Sequence, residues 1–228
     1  MIGGTAPTER GTMRDLLIVG VGGTTRPGSS SETALRIALA AAERPGVRTQ
    51  IFAGPSLLLP MFAPERPERS DEARALVAAL RRADGIVISS PGYHGSMSGL
   101  IKNALDYTED MRSDPQPYFD GRAVGCIACA AGWQATGSTL AALRSVVHAL
   151  RGWPTPFGAG INTAEGPFDK GLCKDASVAA QLCIVGEQVV EFAMSRRRPG
   201  TVTELPEATF KQPAPFGSAM TAKRPSAA

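Results

Sequence analysis

Cysteine and histidine are both scarce in this sequence, with four and two among 228 residues. So few thiols exclude the disulfide framework that staples small secreted domains. Cys126 and Cys129 form a C-x-x-C pair, but within Val124 to Ala131 (VGCIACAA), which reads as a buried strand. Residues three apart on a strand point to opposite faces, so the two neither share a metal nor pair with each other. A thioredoxin-type motif would open a helix, and this one does not. Cys173 and Cys183 are read as unpaired in the same way. Long apolar runs are also missing: none approaches the roughly 18–20 residues that span a bilayer. Residues 1–14 lack both the apolar core and the small-residue cleavage pattern of a secretory signal. Together these point to a soluble protein of the cytoplasm, with no membrane partner.

An excess of one charge is missing from the body of the chain. The formal charge is +3, yet residues 15–192 carry 16 Lys/Arg against 18 Asp/Glu. The surplus sits at the ends, chiefly in Arg196-Arg197-Arg198, Lys211, Lys223 and Arg224. This excludes a nucleic-acid-binding face. The arginine cluster is read as a solvated helix end, which the helix dipole favours.

What is present is an alternation. Leu16 to Val21 reads as a strand buried on both faces, followed by a helix over 30–43. A strand over 47–52, a helix over 70–82 and a strand over 85–89 repeat the unit. A helix over 98–108, a strand over 123–129, a helix over 136–151, an irregular fifth strand within 154–161 and a helix over 175–195 complete it. Such alternation predicts an α/β fold: a doubly wound, five-stranded parallel sheet with helices on both faces. The chain divides into an N-terminal tail over 1–14, one domain over 15–195 and a Pro- and Gly-rich C-terminal tail over 196–228. The loop over 54–67 carries Leu57, Leu58, Leu59, Met61 and Phe62, and is expected to pack on the core in preference to meeting another subunit.

Two segments carry chemistry. Gly20 to Thr33 (GVGGTTRPGSSSET) links the first strand to the first helix, where a helix N-terminus offers free N–H groups to an anion. The loop has no Lys, which excludes a Walker A motif. A dinucleotide turn beginning at Gly20 would need glycine where Thr25 stands, and Phe52-Ala53-Gly54 lacks a ribose-binding acid. What remains is a hydroxyl-rich cradle, Thr24, Thr25, Ser29, Ser30 and Ser31, with one cation, Arg26. Hydroxyls, N–H groups and a guanidinium suit the acceptor oxygens of a terminal monophosphate such as that of FMN. A flexible turn with a helix cap explains the same composition. The second segment is Ser90 to Tyr107 (SPGYHGSMSGLIKNALDY), directly after the third strand. Pro91 and Gly92 break the strand, Gly95 permits close backbone approach, and Tyr93 and His94 project beyond the same sheet edge as the first loop.

Gly23-Thr24-Thr25-Arg26-Pro27-Gly28-Ser29, Pro91-Gly92-Tyr93-His94-Gly95-Ser96 and Leu100-Ile101-Lys102-Asn103-Ala104-Leu105-Asp106 together resemble the NADPH-dependent FMN reductase family. That family carries G-[ST]-x-R-x-x-S, P-x-Y-x-x-S and L-x-N-A-L-D segments, and the resemblance covers roughly residues 15–192. It implies a flavodoxin-like fold, FMN as cofactor, NADPH or NADH as hydride donor, and a homodimer or homotetramer. Thr24, Arg26, Ser29, Ser30 and Ser31 would hold the phosphate. Pro91, Gly92, Tyr93, His94, Gly95 and Ser96 would line the flavin ring, joined by Gly132 from a third loop, Ala130 to Trp133. Gly92 and His94 depart from the Glu and Asn frequent among relatives. The implied activity is hydride transfer from nicotinamide to flavin, supplying reduced FMN to a flavin-dependent monooxygenase. A quinone, azo or metal-oxyanion reductase with retained FMN, and a flavodoxin-type carrier or regulatory subunit without turnover, are the alternatives.

Other residues are read as structural. His94 hydrogen-bonds its loop or the flavin and is not assigned an acid's role, while His148 lies at a helix end. Lys102, Asn103 and Asp106 cap or brace a loop. Trp133 either stacks over a flavin or packs at a helix cap, and Tyr118 and Phe119 either pack locally or cover a neighbouring subunit's site. No side chain is assigned a catalytic or metal-binding role.

Overall fold

The computed structural model describes residues 14–197. Apart from Arg14, Arg196 and Arg197, both expected tails lie outside the described residues, as does Arg198 of the arginine cluster.

The first apolar run forms β1 (Leu16–Gly22) and leads into α1 (Ser30–Ala42), whose N-cap Ser29 accepts from the Glu32 N–H. Then come β2 (Val47–Phe52), α2 (Asp71–Arg82), β3 (Gly85–Tyr93) and the short β4 (Ser96–Met97). The chain continues through α3 (Gly99–Asp106), β5 (Ala123–Ala130), α4 (Trp133–Ala149), β6 (Trp153–Pro154) and β7 (Ala159–Asn162). A small hairpin, β8 (Phe168–Asp169) and β9 (Leu172–Cys173), precedes α5 (Ala176–Arg197).

The main sheet runs β2-β1-β3-β5, with β6 and β7 both beside β5, and these pairings are parallel. The fifth strand is thus one lane in two pieces. Pro154 and Pro156 fall in its first half, and a proline cannot donate to the ladder, so pairing stops after Pro154 and resumes at Ala159. This is the flavodoxin-like order, in which the direction of winding reverses between β1 and β3 and opens a crevice beyond their carboxyl ends.

Alternating strand residues feed two cores. Val19, Ile86, Ile88 and Cys126 meet Leu76, Leu80, Ile101 and Leu143 on the α2–α3–α4 face. Ile18, Val87, Ile127 and Cys129 meet Leu35, Leu39, Val185 and Val189 on the α1–α5 face. Cys126 and Cys129 therefore do face opposite sides, and all four cysteines are free.

Several expectations need adjustment. α4 begins at Trp133, three residues earlier than expected, with Gly132 as its N-cap at φ 113°. α5 runs through Arg196 and Arg197. Arg197 is no solvated end: its guanidinium lies 3.5 Å from Asp84 and donates to the Asp15 carbonyl. No unbroken apolar run of membrane-spanning length appears, as expected, although α5, at 22 residues with an 18-residue window of mean hydropathy 1.2, is by length and composition alone long and apolar enough to cross a membrane. In this fold it closes a core: Leu182, Val185, Val189 and Val190 are fully buried, and a Cβ on Gly186 would lie 2.0 Å from the Ala38 carbonyl oxygen of α1. The 54–67 loop divides. Leu57 is fully buried and Leu59 and Phe62 pack on the core, whereas Leu58 and Met61 are exposed. Asn103 holds this loop, accepting from the Phe62 N–H at 2.8 Å and donating to the Pro60 carbonyl at 3.0 Å.

Candidate functional site

The carboxyl ends of β1, β3 and β5 bound a cleft of about 320 Å³, which the turn after β7 also reaches. Its first wall is the β1–α1 loop, supplying Thr24, Arg26, Ser29, Ser30 and Ser31. Ser29 caps α1, and the Thr33 N–H bonds the Ser29 carbonyl at 2.8 Å. With the Glu32 and Thr33 donors satisfied, the Ser30 and Ser31 N–H groups are the first-turn donors left for an anion. The loop is braced within itself. Thr24 Oγ1 accepts from the Arg26 N–H at 3.1 Å, and Glu32 Oε2 accepts from the Gly28 N–H at 3.0 Å. Ser89 ties it to β3, donating from Oγ to the Ser31 carbonyl at 2.8 Å while its own carbonyl accepts from the Gly23 N–H. Arg26 is exposed, so its charge is available but screened by water.

The second wall is the end of β3: Pro91, Gly92 and Tyr93. Gly92 has a steric reason. A Cβ there would lie 2.5 Å from Thr139 Oγ1 of α4 and 2.9 Å from Ala130 Cβ, so no larger residue fits this backbone. β3 then turns back on β4 through His94 (φ 50°) and Gly95 (φ 86°), with Tyr93 opposite Ser96. Two consecutive positive φ values make a tight hairpin turn, which is what position 95 requires of its glycine. His94, Gly95 and Ser96 are exposed on this hairpin and do not line the cleft, a departure from expectation that follows from the turn pointing them outward.

Cys129, Ala130 and Ala131 supply the third wall and Thr163 the fourth. Burial pushes the Cys129 thiol up to about 12, opposed by a hydrogen bond with Ser89, so it is a neutral part of the floor. Gly132 lies just outside the wall, where its N–H donates to Asn162 Oδ1 at 2.8 Å. Two buried threonines of α4 fix this end. Thr136 Oγ1 donates to the Gly132 carbonyl at 2.9 Å and approaches the Ile161 carbonyl at 3.5 Å, and Thr139 Oγ1 donates to the Ser96 carbonyl at 3.3 Å. Trp133 is 60% exposed, which removes the packed alternative for it. Phe119 is fully buried in its own core, and Tyr118 donates to Glu109, so both pack within the chain. His148 is exposed in the last turn of α4.

The sequence reading missed Glu32, Thr136, Thr139, Asn162 and Thr163. Glu32 was legible, since a carboxylate three residues after a serine cap is a capping signature. The others act across the fold.

A family model described as NADPH-dependent FMN reductase matches residues 16–165. An NADPH azoreductase of Bacillus sp. (strain OY1-2) is 44% identical over 50 residues, 22% of this chain and 28% of that protein. An FMN-dependent NADPH-azoreductase of Staphylococcus aureus is 30% identical over 115 residues, 48% of this chain and 56% of that one. The matches thus span 28% and 56% of the length of these two relatives. Among solved structures, a flavoenzyme NAD(P)H:(acceptor) oxidoreductase from Paracoccus denitrificans superposes with a TM-score of 0.61 at 18% identity, covering 79% of this chain and 98% of its own. That likeness concerns the fold.

Proposed function

The chain belongs to the NADPH-dependent FMN reductase family, and from that premise we propose that its cleft binds FMN, that NAD(P)H reduces it there, and that reduced FMN leaves for a flavin-dependent monooxygenase. The observation that carries this reading is the meeting, in one cleft, of a hydroxyl-lined helix N-terminus with the exposed end of a strand. Ser29, Ser30, Ser31 and Thr24 offer hydroxyls, the Ser30 and Ser31 N–H groups aim along the helix dipole, and Arg26 adds a guanidinium. These donors match a terminal phosphate in number and sign. The flat wall of Pro91, Gly92, Ala130 and Ala131, free of large side chains, suits a planar ring.

Bound FMN supplies the hydride-accepting chemistry. The protein's share is alignment. Thr136, Thr139 and Asn162 hold the hairpin and the 130–132 loop in place before a ligand arrives.

The azoreductases among the relatives favour a second reading, in which FMN stays bound and an azo compound or quinone is reduced. Exposed Leu58, Met61, Tyr93 and Trp133 support assembly into a homodimer or homotetramer. Four free cysteines support a reducing compartment, the cytoplasm.

The test is NAD(P)H oxidation by gel-filtered protein. Turnover that requires added FMN supports flavin supply. Turnover by retained flavin only when an azo dye or quinone is added supports the second reading. No FMN binding overturns both.

A further inference from the structure

Behind the hydroxyl cradle lies a carboxylate that works against a phosphate. Glu32, in the first turn of α1, is 6% exposed. One of its oxygens takes the Gly28 N–H at 3.0 Å, immediately before the Ser29 to Ser31 wall. The other receives Arg36, from Nε at 2.9 Å and Nη2 at 2.7 Å. The two charges are unequally placed. The Arg36 side chain is 58% exposed and one helical turn farther from the loop, whereas that of Glu32 is 8% exposed and touches the loop backbone. Water screens the guanidinium more than the carboxylate, so the cradle senses residual negative charge. The Gly28 N–H, a donor that a phosphate-binding loop would otherwise turn toward its ligand, is already held by Glu32.

We infer that the Glu32–Arg36 pair sets how tightly the cleft holds a terminal phosphate, Glu32 weakening and Arg36 restoring the hold, so that phosphorylated flavin enters and leaves as an exchangeable substrate. This rests on the FMN reading above and deepens it. Neither residue lines the cleft, so both act as positioning and field-setting groups.

Flavin-fluorescence titration of the full chain with FMN and with riboflavin tests this. Riboflavin has the ring without the phosphate, so it reports the cleft while ignoring the electrostatic term. Glu32→Gln keeps an oxygen for the Gly28 N–H and loses the charge. It should lower the FMN dissociation constant about tenfold, the effect of one screened charge on a phosphate dianion, and leave that for riboflavin unchanged. Arg36→Gln exposes the carboxylate and should raise the FMN constant severalfold, again sparing riboflavin. FMN affinity that is unchanged or weaker in Glu32→Gln, with riboflavin binding intact, overturns the inference. So does an equal shift for both ligands, which would make the pair a loop brace alone. If Glu32→Gln does not fold, Arg36→Gln decides by the same two constants. Wild-type protein that binds neither flavin instead defeats the FMN reading itself.

Discussion

At the cradle end of the cleft, the hydrogen bonds within the loop join residues two to four apart: Thr24 to Arg26, Glu32 to Ser29, Gly28 to Glu32. At the hairpin end one bond is local, Thr136 to Gly132, but the others join residues 25 to 43 apart: Thr136 to Ile161, Gly132 to Asn162, Thr139 to Ser96. The first end is built largely by its own stretch of chain, with ties to Ser89 as its link to the sheet. The second exists once α4, β5 and β7 have packed. Local sequence therefore governs the chemistry of the first, and tertiary structure governs the shape of the second. Disturbing the two ends should break different things.

Among single substitutions at neutral pH, the largest effect is expected at Gly92. Gly92→Val places methyl groups where Thr139 Oγ1 and Ala130 already stand, and should cost about 3 kcal/mol of stability in a denaturant titration, as overpacking does. A value near zero would show that the hairpin end yields easily.

Next comes an alkaline weakness. Burial pushes both Cys126 and Cys129 up to about 12 from 9.0. Between those values the unfolded chain loses protons that the folded chain keeps. Stability should thus be level below pH 9 and fall as pH rises from 9 toward 12, by about 1.4 kcal/mol per pH unit for each thiol. Unfolding followed across that range checks it, and Cys129→Ala should halve the slope.

Asn162→Ala removes the acceptor shared by the Gly132 and Ala164 N–H groups. It should cost about 1.5 kcal/mol in stability and weaken FMN and riboflavin alike, because it loosens the ring wall and not the cradle. Arg26→Ala should do the reverse. FMN affinity should fall by about 1.5 kcal/mol, the low end for a charge-assisted bond because the side chain is exposed, while stability stays within about 0.5 kcal/mol of wild type. The smallest effect is expected of Thr139→Val, about 1 kcal/mol, which Thr139→Ser should largely restore. Equal loss of FMN and riboflavin binding in Arg26→Ala would erase the distinction between the ends.

The same division explains what was legible in the sequence. β1, the cradle and α1 follow from apolar runs, a serine cap and good helix formers, all within about thirty residues. Pro91 to Tyr93 were legible as lying at the sheet edge, but the strand expected to end at residue 89 and to break at Pro91 and Gly92 runs on to Tyr93, with Pro91 in register with Cys129 of β5. Thr163 and Asn162 were not, for although a fifth strand within 154–161 was expected, nothing local shows that the turn after it reaches the cleft and the Gly132 N–H. Thr136 and Thr139 look like ordinary helix residues until the hairpin is laid across them. α5 was legible as a helix but not as a core element: Glu187, Gln188 and Glu191 interrupt its apolar residues, and its packing on α1 and the sheet is what identifies it as closing a core.

A crystal structure of the protein grown with FMN tests the central claim most directly. The account predicts the phosphate at the first turn of α1, within hydrogen-bond reach of the Ser30 and Ser31 N–H groups, and the ring between Pro91–Tyr93 and Ala130–Ala131. A phosphate bound elsewhere, or a ring outside this cleft, would contradict it.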